Sequence, residues 1–87
     1  MANHPRTVAG FEGSLEDLAK SIGNITYDQT ASFIEKLADD IKRQADADNM
    51  CGRKKLAAEL YATANELYKA KDKMISAWKI CEPYMKE

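Results

Sequence analysis

The residues able to do chemistry in this chain are few and scattered: one histidine, His4, two cysteines, Cys51 and Cys81, and short groups of carboxylates and lysines. A cysteine or serine nucleophile needs a base placed beside it, and His4 lies in an N-terminal stretch with no periodic pattern, so no catalytic triad is expected. Zinc asks for four N, S or O ligands at close quarters. A di-iron bundle asks for Glu-x-x-His pairs, and the sequence has none. Asp46-x-Asp48 opens like a calcium loop, but position five would be Met50, position six Cys51 rather than Gly, and position twelve Ala57 rather than Glu. Glu35, Asp39 and Asp40 have the spacing of a solvated helical face, and no Gly-rich phosphate loop occurs. The expectation is a protein that is not an enzyme and uses no cofactor or metal.

Two sets of residues point to binding instead. Arg53, Lys54 and Lys55, followed by Lys69, Lys71, Lys73 and Lys79, form a candidate basic patch able to touch phosphates. That makes a nucleic-acid-associated regulator the alternative reading. A net charge of −1 weighs against it, as does the lack of an aromatic residue within the triplet for base stacking. The other set, Tyr61, Tyr68, Ile75, Trp78 and Tyr84, is the candidate protein interface, because tyrosine and tryptophan bury a large area behind a polar tip. Tyr61 and Tyr68 are one heptad apart, about 10 Å along one helical face.

These residues sit on a strongly periodic segment. Leu56, Leu60, Ala64, Leu67, Lys71, Met74, Trp78, Cys81 and Met85 form a stripe whose steps, from Leu60 onward, alternate four and three, the period an apolar seam needs to stay against a partner helix. Lys71 interrupts it and is expected to reach solvent or a carboxylate. Upstream, Tyr27, Ala31, Ile34, Leu37, Ala38, Ile41 and Ala45 repeat the spacing, with Phe33 widening the stripe. Ser14 with Asp17 and Thr26 with Gln29 have the form of capping pairs. Gly23 suits a helix end, and Pro83 stops the last helix. The pattern predicts a flexible arm over 1–13 with Phe11 laid back on the helices, then one helical domain over 14–87 with helices at about 14–22, 26–47 and 53–82.

Asn49 and Gly52 are the break signals between the two long helical patterns, and they place a reversal there rather than one continuous rod. Charge agrees. Residues 1–50 hold five Lys/Arg against nine Asp/Glu, net −4, and residues 51–87 hold eight against five, net +3. Asp46 and Asp48 at one helix end and Arg53, Lys54 and Lys55 at the next helix start both oppose the macrodipole, and a tight turn brings them together. The second helix is the shorter, so the first is expected to cover the third near Met74, Trp78 and Cys81, with Tyr84 and Met85 as a clip.

The expected fold is therefore all-α: an antiparallel hairpin of two long helices with a short N-terminal third helix, a three-helix bundle able to dimerise as a larger helical bundle. With 87 residues, 45% apolar and 31% charged, the chain suits a single soluble domain with a thin margin of stability, which self-association would relieve. No apolar run is long enough to cross a membrane. Cys51 and Cys81 fall near opposite ends of one helix about 45 Å long, too far apart for a disulfide, which fits a cytoplasmic protein. One stretch, Ala77 to Pro83, resembles the end of a tetratricopeptide unit, but a single copy does not make such an array. The functional expectation is a small helical protein–protein interaction or regulatory protein, of adaptor or inhibitor type, whose partners are another protein and itself.

Overall fold

The computed structural model describes residues 4–85; residues 1–3 and 86–87, the outer ends of the expected arm and domain, lie outside the described residues. Three α-helices follow in order, α1 (Leu15–Asn24), α2 (Tyr27–Met50) and α3 (Lys54–Cys81), and a 3-10 turn over Glu82–Tyr84 closes the described chain. No strand occurs among the described residues. The fold is an all-α antiparallel hairpin of α2 and α3, with α1 resting on α2.

The helix boundaries follow from local chemistry. At α1, the Asp17 amide donates to Ser14 Oγ and the Ser14 amide donates to Asp17 Oδ2, both at 3.1 Å, the reciprocal pair expected from the sequence. Gly23, expected to end this helix, lies inside its last turn instead; the chain leaves through Ile25 in an extended conformation, which needs no left-handed residue. Thr26 precedes α2 without a side-chain cap, contrary to the Thr26–Gln29 expectation, and its carbonyl accepts from the Gln29 and Thr30 amides at 2.9 and 3.0 Å. The hydroxyl of Thr30 donates to the Ile22 carbonyl at 2.8 Å. A carbonyl that the end of α1 leaves without a helical partner is thereby satisfied from α2.

The reversal between α2 and α3 is a Schellman-type end. Gly52 adopts φ +86°, its amide donates to the Asn49 carbonyl at 3.1 Å, and the Arg53 amide donates to the Asp48 carbonyl at 2.9 Å. The positive φ is what turns the chain back, so the two long helices are separate elements. α2 continues to Met50, past the expected end near Ala47, because these turn amides satisfy its final carbonyls.

The buried residues among those described are five alanines, Ala31, Ala38, Ala45, Ala57 and Ala64, together with Thr30. The alanines recur every seven residues on each helix. Ala31, Ala38, Ala45 and Ala64 all belong to the expected stripes and are buried; on α3 the innermost line adds Ala57 in place of Leu56, Leu60 and Leu67, leaving Leu56 37% exposed and Leu60 and Leu67 half-buried. Small side chains on the line of closest approach let two helix backbones come together, and larger ones are displaced to the flanks. The molecule is correspondingly flat, 52 × 29 × 14 Å.

α1 contacts α2 but makes no helix–helix packing with α3. It therefore does not cover Met74, Trp78 and Cys81 as its position in the sequence suggested. The C-terminal tail does come near the α1–α2 link: Tyr84, Met85 and Cys81 share a hollow of about 430 Å³ with residues 23–27.

Candidate protein interface

The hairpin has two different faces, and the heptads of both helices assign residues to each. One residue after Ala38 and Ala45 come Asp39 and Asp46; four after Ala57 and Ala64 come Tyr61 and Tyr68. The Tyr61 hydroxyl donates to Asp46 Oδ1 and the Tyr68 hydroxyl donates to Asp39 Oδ1. These carboxylates, first by hydrogen bonding and then with burial and charge adding to it, raise both phenol pKa values above 10.0. Further along the helix, Lys71 Nζ lies 3.8 Å from Glu35 Oε2 and 3.1 Å from Asp72 Oδ1. The ammonium is correspondingly held in its charged form, chiefly by Asp72. The Lys71 pairing with carboxylates agrees with its expected role, whereas Glu35 and Asp39 are cross-helix partners rather than a merely solvated face.

Helical geometry places the other residues. Each residue turns the side-chain direction by about 100°, so positions one and four after an alanine lie to one side of the contact line and positions three after it lie to the other. In an antiparallel pair the same rotation on each helix emerges on the same face, as the Tyr–Asp bonds demonstrate. Ile34 and Ile41 on α2 and Leu60, Leu67 and Met74 on α3 are all three residues after a heptad position, and so share the opposite face, where Leu37 and Leu56 widen it. None is fully buried, and Leu37 is 40% exposed. From Ile34 to Ile41 and from Leu60 to Met74 these rows contain no charged residue; at the turn end the α2 row continues to Asp48, which pairs with Arg53.

α1 lies against one end of this face. An apolar groove lined by Leu15, Leu18, Ile22, Phe33 and Ile34 runs between α1 and α2, and Leu15 remains 71% exposed. The stretch from Leu37 and Ile41 across to Leu56, Leu60 and Leu67 is the part nearer the Gly52 turn.

The five residues expected to form the interface are not gathered on that face. Tyr61 and Tyr68 are half-buried and engaged with Asp46 and Asp39; Ile75 continues their line one heptad on and is half-buried. Trp78 continues the Ala57–Ala64–Lys71 line, also half-buried, and Tyr84 is exposed in the 3-10 turn. The signal that identifies the open face is the seven-residue spacing of alanine in both helices, which shows which side of each helix points at the other.

The basic triplet is divided in the same way. Arg53 Nε donates to Asp48 Oδ1 at 2.7 Å, a bond that strengthens the guanidinium's hold on its proton. Lys54 Nζ donates to the Asn49 carbonyl and Asn49 Oδ1 at 3.1 and 2.9 Å. Both side chains bind the turn, where a cation on the α2 C-terminus is favourable. Lys55 is exposed. No cluster of three or more His, Cys, Asp or Glu side chains with a metal-binding arrangement occurs among the described residues, and no helix is long and apolar enough to cross a membrane. Both cysteines are free, Cys51 exposed beside the turn and Cys81 half-buried at the far end of α3. Compared with protein-family models, curated proteins and solved structures, the chain matches none of them.

Proposed function

We propose that this chain is a non-enzymatic helical interaction module of regulatory type, an adaptor or inhibitor, which works by presenting one face of the α2–α3 hairpin to protein. The observation that carries the reading is the apolar run of Leu37, Ile41, Leu60 and Leu67 on the side of the hairpin away from the Tyr–Asp bonds, none of which is fully buried. Contiguous apolar surface bordered by polar residues marks an interaction site. A cytoplasmic setting suits the exposed thiol of Cys51. What weighs against the nucleic-acid alternative is that Arg53 and Lys54 are engaged at the turn rather than held out as a patch.

The test is capture by the immobilised chain of proteins from its source cells, a second copy of itself included. Leu60→Glu/Leu67→Glu is expected to abolish capture, and Tyr68→Phe to leave it intact. Capture indifferent to the Leu60/Leu67 change sinks the reading. Binding of nucleic acid that weakens steeply with salt and is lost in Arg53→Ala/Lys54→Ala/Lys55→Ala would favour the alternative.

A further inference from the structure

We infer that α1 is a displaceable strap: it occupies the Ile34 end of the apolar face, and its release, with the α2–α3 hairpin left standing, opens that face along its whole length. The inference rests on the interaction reading above and adds its regulation.

How lightly α1 is held is the first argument. Its ten residues fall short of the roughly 12–15 that keep an isolated helix folded in water, so it depends on what it rests against. Yet none of its residues is fully buried, and it packs on α2 without packing on α3. Among the described residues no ion pair joins it to the hairpin, and one hydrogen bond ties it across, from the Thr30 hydroxyl to the Ile22 carbonyl at 2.8 Å. The two long helices are joined by the alanine line, both Tyr–Asp bonds and Lys71 with Glu35. Segments with little buried surface open at lower free energy than the core, and here that boundary falls between α1 and the hairpin.

Position is the second. α1 sets Leu15, Leu18 and Ile22 against Phe33 and Ile34, and Ile34 is the residue from which the row of Ile41 continues. With α1 docked, the open part of that row lies on the turn side of Ile34 and is bounded by Asp48. Undocking adds Phe33 and Ile34 to Leu37 and Ile41 as one apolar strip. A protein that binds the longer strip displaces α1, so its apparent affinity scales with the fraction of molecules in which α1 is released.

The joint is the third. Ile25 and Thr26 alone separate α1 from α2, with φ −76° and −60° and ψ 171° and 149°, unstrained extended backbone that leaves α1 free to swing. Gly23 loosens the helix itself. It has no positive φ, and a Cβ there would meet nothing within 4 Å, so neither the turn nor a close approach requires glycine at this position.

Hydrogen exchange of the full chain tests this. In the wild type the amides of residues 18–24 are expected to exchange at least about 10-fold faster than those of 60–67. Thr30→Val, which keeps the shape and removes the tie, should speed residues 18–24 about 5-fold; Gly23→Ala should slow them about 5-fold; neither should change 60–67. In the capture assay above, the apparent affinity should move with the exchange rate, about 5-fold tighter in Thr30→Val and about 5-fold weaker in Gly23→Ala. Equal exchange in residues 18–24 and 60–67 of the wild type overturns the inference, as does a variant that shifts both segments together or leaves 18–24 unmoved. Capture that Leu60→Glu/Leu67→Glu abolishes but that Thr30→Val and Gly23→Ala do not move overturns the strap and leaves the interaction reading standing. No capture by any form sinks the interaction reading, and the strap with it.

Discussion

The phenol of Tyr68 on α3 donates to the carboxylate of Asp39 on α2, twenty-nine residues away in the chain. One heptad back on α3 and one heptad forward on α2, Tyr61 repeats the bond with Asp46. Two such bonds at equal spacing in opposite directions define the antiparallel register of the hairpin.

Removing both phenol hydroxyls with Tyr61→Phe/Tyr68→Phe should lower the melting temperature at neutral pH without loss of helix content. The pH dependence follows from the raised phenol pKa values: the stabilisation is complete below the unfolded tyrosine value near 10 and is lost as pH climbs through the higher folded values. Lys71, whose pKa is also raised, acts in the same alkaline range. Circular-dichroism melts at pH 8 and pH 11 should show a smaller drop in the double variant than in the wild type. Equal drops in the two proteins would remove the tyrosines from this account.

Ala64→Leu forces a large side chain onto the line where α2 and α3 meet and should cost about 1–3 kcal/mol. Ala62→Leu, on an exposed position of the same helix, should cost little. Urea unfolding of the two variants provides the comparison. A tolerated Ala64→Leu would mean that the alanines do not set the approach of the helices.

Gly52→Ala places a Cβ in open space but on a residue at φ +86°. The expected cost, about 1–2 kcal/mol, is therefore conformational rather than steric against neighbours. It should appear as a lower urea midpoint with an unchanged slope, since the folded and unfolded surfaces are the same.

Ser14→Ala removes the side-chain acceptor of the α1 cap and should cost about 1 kcal/mol of helix stability. Because α1 contains no fully buried residue, the loss should stay local. Faster amide hydrogen exchange over residues 15–18, with α3 unchanged, is the expected signature. Uniformly faster exchange across α3 would show that α1 braces the whole hairpin.

Much of the architecture is legible in local signals. The Ser14–Asp17 cap, the glycine at 52 and Pro83 bracket the helices, and Asp48 with Arg53 marks the turn, because each acts through groups only a few residues apart. Gly23 misleads for the same reason: glycine permits a helix end but does not require one, and Ile25 leaves α1 without it.

By itself, then, the sequence determined that this chain makes helices, that the two long ones carry seven-residue patterns, and that a break signal falls at Asn49 and Gly52; that the chain reverses there rather than running on as one rod was decided by the positive φ of Gly52 and its turn hydrogen bonds. Only the tertiary structure decided which edge of each stripe is innermost. Hydrophobic periodicity identifies a broad arc of a helix, here Leu56, Leu60, Ala64 and Leu67 on α3, but not which residue within the arc lies innermost. Two helices packed as a pair approach along the line with the smallest side chains, which puts Ala57 and Ala64 inside, leaves Leu60 and Leu67 half-buried and Leu56 exposed, and brings Tyr61 and Tyr68 to Asp46 and Asp39. That choice depends on both helices at once, so neither stripe alone contains it.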